Sequence, residues 1–272
     1  HWRIKKRKYD SALNLLLEIN NTDATKLVRP DKFWGKKNFL IRKLIDKHEY
    51  NTAYKLSINH GLKENKYIAE AEWMAGWISL TFLNNPESAY LHFKKIWDVS
   101  SRPISKARAA YWMGKSLDAL GKTDEAQEEY LKASKYSLTF YGQLAATKLN
   151  NKVLFSPKLT NKENMSSENQ KISNSVYLAI SLLNEFDKSK LVKKFIWDLA
   201  NRENLSTATK SVRIANELGR KDFAVQAGKI LYYNHVLLDP LSFPEVERPK
   251  FDKIIFPPQS LIHSVTRQES QF

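Results

Sequence analysis

The sequence predicts an all-α protein made of consecutive helix pairs, and three observations carry that prediction. Gly and Pro are few, 8 and 9 in 272 residues, while Leu, Ala, Lys, Glu and Asn abound, which favours regular helix joined by short turns. Trp34, Trp73 and Trp112 recur at intervals of 39 residues, the mark of a repeat architecture. Five prolines crowd residues 238–258 and deny that stretch a continuous helix. At this length the chain can bury one large core or two modest ones.

Residues 1–150 hold the repeat. KFWGKKNF, AEWMAGWI and AYWMGKSL each set a Trp early in an amphipathic stretch with a small residue soon after it. Between them stand alanines in a second recurring setting, Ala53, Ala89 and Ala126, with Ala12 as an earlier member. The two markers alternate, so each unit reads as two helices joined by a tight turn; Asn84-Asn85-Pro86 and Gly121-Lys122-Thr123-Asp124 supply turn signals. Small residues let crossing helices approach, and a Trp fills the groove to the next pair. The period and the alternation look like tetratricopeptide (TPR)-type repeats, somewhat lengthened. A Trp stripe at this spacing is predicted to be core rather than a ligand platform.

The aromatic-rich segment 136–149 should run from a loop into a helix, with Phe140-Tyr141-Gly142 packing a turn rather than facing a ligand. Residues 151–237 open with an Asn-, Lys- and Ser-rich connection and continue, from Ile172, as four further helices. Gly219 stands where one helix should stop and Asp222 near where the next begins. Residues 238–258, with Pro240, Pro244, Pro249, Pro257 and Pro258, form a Pro-rich linker, and 259–272 a new element. There Leu261, Val265, Gln268 and Phe272 follow helical spacing, with Ser260 as the expected N-cap.

The charge balance, 44 Lys and Arg against 29 Asp and Glu, gives +15 and favours encounter with anionic partners. The basic residues are scattered apart from RIKKRK at 3–8, as on solvated helix faces, and no RNP1 string, zinc-finger spacing or heptad zipper accompanies them. Nucleic acid is therefore not the expected partner. With no Cys there is no disulfide framework or thiolate metal site, and the six histidines show no metal-ligand spacing such as HExxH. We expect no metal and no cofactor, and histidines that sit at the surface or are satisfied within helices. No run approaches the ~20 apolar residues of a membrane span, so no integral membrane segment is expected. His1 in place of Met leads us to expect a processed chain or an excised piece.

Glu269 lies four residues past Val265, at the edge of the final apolar stripe. A carboxyl held there would be partly desolvated and its pKa raised, as a general acid requires. Taken alone, a Glu near a helix end is most often a solvent-exposed residue.

Four strings change that weighting: AEAEWMAGWISLTFLNNPESAYLHF at 69–93, ARAAYWMGKSLDALG at 107–121, TFYGQLAATKL at 139–149 and LIHSVTRQESQF at 261–272. In this order the chain resembles the soluble lytic transglycosylase family, periplasmic enzymes that cut bacterial cell-wall glycan. The last string resembles the family's Arg-Gln-Glu-Ser signature, with Gln271 where the family more often has Ala.

The resemblance implies a right-handed α-superhelix of TPR-like helix pairs, curled toward a ring, followed by the first helix of a lysozyme-like domain. It implies that Glu269 protonates the glycosidic oxygen between N-acetylmuramic acid and N-acetylglucosamine. Glu269 then acts as base toward the sugar's own C6 hydroxyl, closing a 1,6-anhydro ring. One carboxylate suffices because the substrate's acetamido group can stabilise the anomeric cation. Ser270 would orient Glu269. Peptidoglycan glycan strands become the expected partner, with cell-wall proteins as further partners. The family's later glycine-rich and Tyr-Asn motifs have no counterpart before Phe272, so the chain is expected to be the scaffold part of such an enzyme and inactive by itself.

The rival reading is a non-catalytic helical-repeat scaffold that binds a protein or peptide. It explains the repeat equally well but leaves the Arg-Gln-Glu-Ser string as coincidence.

Overall fold

The computed structural model describes residues 2–20, 29–150, 174–234, 240–243, 257–258, 261–262 and 264–265. Among them every regular element is helical: thirteen α-helices and a 3-10 turn, without a strand. The chain divides into two compact units, His1–Leu154 and Phe155–Phe272.

The first unit holds α1 (Trp2–Lys5), α2 (Tyr9–Asn20), α3 (Pro30–Asp46), α4 (Tyr50–Ile58), α5 (Asn65–Thr81), α6 (Pro86–Val99), α7 (Pro103–Ala119), α8 (Thr123–Ser134) and α9 (Phe140–Lys148). They pack consecutively, most closely in the pairs α5–α6, α6–α7 and α7–α8. Trp34, Trp73 and Trp112 fall in α3, α5 and α7, and Ala53, Ala89 and Ala126 in α4, α6 and α8, the last three fully buried. The alternation of markers is thus an alternation of first and second helices.

Among the described residues of the first unit, the buried ones form overlapping clusters in chain order. Leu40, Ile41, Leu44, Leu56 and Ile78 lie in the first, Phe93, Ile96 and Met113 in the second, and Leu117, Ala126 and Tyr130 in the third. Trp73 packs against both the first and the second; Tyr90 and Trp97 join the second to the third. Each pair buries its apolar face against the next, as stacked helical units must.

Within the pairs, glycine sets the closeness of approach. A Cβ on Gly76 would come within 2.7 Å of the Phe93 ring, and one on Gly114 within 2.8 Å of the Tyr130 ring. The helix ends follow local chemistry. Asn85 caps α6 by accepting the Ser88 N–H at 3.0 Å, with Pro86 in the first turn. Gly121, at φ 72°, ends α7 in a Schellman arrangement in which the Lys122 N–H reaches the Leu117 carbonyl at 3.0 Å.

The second unit contains α10 (Asn174–Glu185), α11 (Ser189–Ala200), α12 (Leu205–Glu217), α13 (Lys221–Tyr233) and the turn Pro240–Ser242. Val192, Ile196, Val212, Ala215, Phe223, Ala227 and Leu231 form its buried faces. Gly219, at φ 73°, terminates α12 where the sequence places a stop, and Asp222 in the first turn of α13 pairs with Arg220 at 2.9 Å. The 3-10 turn closes on α13 at Gly228, where a Cβ would fall 2.5 Å from that of Ser242.

Candidate functional site

Glu269 and Ser270 lie outside the described residues, as does Ser260. The part of the final segment that is described is helical: the N–H groups of Leu261 and Ile262 bond the Pro258 carbonyl at 3.0 and 3.2 Å. Leu261 and Val265 are both more than half exposed.

A buried ionic cluster lies in the first unit. Glu72 on α5, with its side chain 3% exposed, is gripped by three donors. His60, just past α4, donates from Nε2 to Oε1 at 3.0 Å; Lys95 on α6 donates to the same oxygen at 2.5 Å; His92, also on α6, donates from Nδ1 to Oε2 at 2.6 Å. The His60 Nδ1 accepts the Leu62 N–H at 3.0 Å, which fixes His60 as the neutral tautomer with its proton on Nε2. Behind His92, the Tyr54 hydroxyl bonds Nε2 at 2.9 Å and Ser88 at 2.8 Å.

Burial pushes the Glu72 carboxyl up, and the hydrogen bonds from His60, His92 and Lys95 outweigh it and hold the group well below the usual carboxylate range. A general acid must carry a proton near its working pH. Glu72 therefore cannot serve as one, and its chemistry is that of a tie between α5, α6 and the loop after α4. The histidines are expected at the surface or as satisfied helix residues: His92 is a satisfied residue of α6, whereas His60 is a buried loop residue.

A second polar feature is a cleft of about 290 Å³ beside the start of α7, walled by Glu70, Ser100, Ser101, Arg102, Ser105 and Arg108. Arg108 lies across the Trp73 face, its Cζ 5.1 Å from the ring centroid. Its Nε is shielded from solvent and has no acceptor among the described residues. Burial pushes the guanidinium below its ordinary value, while Tyr141 and Glu70 act in the opposite direction. Glu70 accepts from the Asn38 amide at 2.6 Å. No spacing in the sequence marks this group, because the missing partner is a property of the packed helices.

The Phe140-Tyr141-Gly142 segment divides. Gly142 packs so tightly that a Cβ would fall 2.1 Å from the Tyr136 carbonyl oxygen, and Thr139 caps α9 by accepting the Gly142 N–H at 3.0 Å. Tyr141 stacks at a tilt on Tyr111, with centroids 5.4 Å apart. Phe140, by contrast, is 71% exposed, so packing accounts for two of the three residues. Among the Trp markers, Trp34 is buried and Trp73 and Trp112 are half-buried, each with its indole nitrogen shielded, as core residues rather than a ligand platform.

Among the described residues no group of His, Asp and Glu has metal-binding geometry, and no helix is long and apolar enough to cross a membrane. Comparison with protein-family models, with curated proteins and with solved structures gives no match.

Proposed function

We propose that this chain is the helical body of a periplasmic peptidoglycan lytic transglycosylase, extending to the first helix of its catalytic domain. The observation that carries the reading is the Arg267-Gln268-Glu269-Ser270 string, standing after three other family-like strings in the family's order. Those three strings fall on α5 and α6, on α7 and across the whole of α9, and they supply the close approaches at Gly76, Gly114 and Gly142. The right-handed superhelix of TPR-like pairs belongs to this proposal, which the consecutive packing of helices supports.

In this reading Glu269 donates its proton to the glycosidic oxygen as the bond from the N-acetylmuramic acid anomeric carbon breaks. It then takes the proton of the C6 hydroxyl as that oxygen bonds to the same carbon. Water is not consumed, and Glu269 ends as it began, protonated. Ser270 positions the carboxyl, no cofactor enters, and the +15 chain tracks an anionic glycan.

The test is solubilisation of purified sacculi by the longest chain that the reading frame encodes, beside its Glu269→Gln variant. Release by the parent chain and loss of about 10²-fold or more in the variant are expected. Equal release by both overturns the role of Glu269, and release by neither makes the non-catalytic scaffold the better account.

A further inference from the structure

We propose that the cleft between α5 and the start of α7 binds the free carboxylate at the end of a peptide chain. The inference starts from Arg108. A guanidinium presents five N–H donors and cannot shed its charge, so taking it from water without an acceptor is costly. Here the group is half-buried against Trp73, with Nε fully shielded and no hydrogen bond or ion pair to any described residue. Its ring contact offsets part of that cost through cation–π attraction but satisfies no donor. An acceptor arriving in the cleft would do so.

The rest of the wall limits what that acceptor can be. Arg102 and Arg108 face one carboxylate, Glu70, so the cleft carries a single net positive charge. That balance suits a monoanion; a dianionic phosphate would meet Glu70 with two charges against it. The planar fork of a guanidinium matches a carboxylate through two parallel bonds. Ser100, Ser101 and Ser105 can donate to a neighbouring carbonyl or to the carboxylate itself, and Glu70 can accept an amide N–H one residue back. The first turn of α7 adds to this, since no side chain caps it.

Size narrows the source. At about 290 Å³ the cleft falls just below the ~300–1,000 Å³ range of pockets that engulf a whole ligand, so it takes the end of a longer molecule. A peptide terminus supplies the carboxylate, the adjoining carbonyl and the N–H in one unit. This assignment does not rest on the glycan-cleaving reading, because it uses no residue of the final helix.

Isothermal titration of the full chain with N-acetyl-alanyl-alanine and with its C-terminal amide, at low salt, tests the assignment. The acid should bind about tenfold or more tightly than the amide, and Arg108→Met should weaken the acid about tenfold. Arg102→Gln, at an exposed position whose side chain makes no cap hydrogen bond to α7, should weaken it several-fold and keeps the test sharp if the Arg108 variant fails to fold. Equal affinity for acid and amide, no binding of either, or competition by inorganic phosphate as effective as the acid would each overturn the proposal.

Discussion

Replacing Glu72 by Gln would keep its shape but exchange an acceptor oxygen for an amide donor that faces His60, His92 or Lys95. A buried donor would then confront a donor, and the cost should be about 3–5 kcal/mol by chemical denaturation. The pH dependence follows from the same contacts. Because the folded-state pKa of Glu72 is depressed below the ordinary 4.5, its contribution is fully present above that pH and fades as pH falls below it. The parent chain should lose stability steeply in that acid range and Glu72→Gln should lose less; parallel curves would contradict the assignment.

Lys37 gives the opposite case. Its side chain is 1% exposed, its ammonium bonds the Asn59 carbonyl at 2.5 Å, and burial lowers its pKa from 10.5 to about 8. Below pH 8 the native state carries a buried charge at a cost of about 3 kcal/mol. As pH rises from about 8 toward 10.5 the native state sheds its proton while the unfolded chain keeps it, so stability should rise. Lys37→Met should raise neutral-pH stability by about 1 kcal/mol and flatten that rise; a retained rise would place its origin elsewhere.

At the scale of elements, glycines with different duties separate two physical effects. Gly114 faces the Tyr130 ring, so Gly114→Ala should force overpacking and cost about 1–3 kcal/mol. Gly121 has open space around it but φ at 72°, so Gly121→Ala should cost about 1 kcal/mol through backbone strain alone. Thermal unfolding of both, with Tyr130→Leu added to each, checks the distinction. The added change should relieve the first and leave the second unaltered.

The pairing of helices was legible in the sequence because stacked units of similar length bring their large and small residues round at a steady interval. The turns at Asn85-Pro86 and Gly121 were legible because capping and left-handed backbone select few residue types. The Glu72 cluster was not. Its partners stand 12, 20 and 23 residues away, on spacings set by how α5 meets α6 and the loop after α4 rather than by any repeat. Arg108 escaped notice likewise, since a charge without a partner has no sequence signature. Glu269 was found through its string and lies outside the described residues, so the chemistry assigned to it rests on the sequence.

At the scale of the whole molecule, the chain forms two compact helical units and carries a net charge of +15, which favours encounter with anionic partners. The central claim is that Glu269 closes an anhydro ring instead of admitting water. Mass spectrometry of the products released from purified sacculi by the longest chain of this reading frame tests that most directly. The account predicts 1,6-anhydro-N-acetylmuramic acid ends that disappear with Glu269→Gln. Hydrated, reducing ends dependent on Glu269, or anhydro ends that survive its replacement, would contradict it.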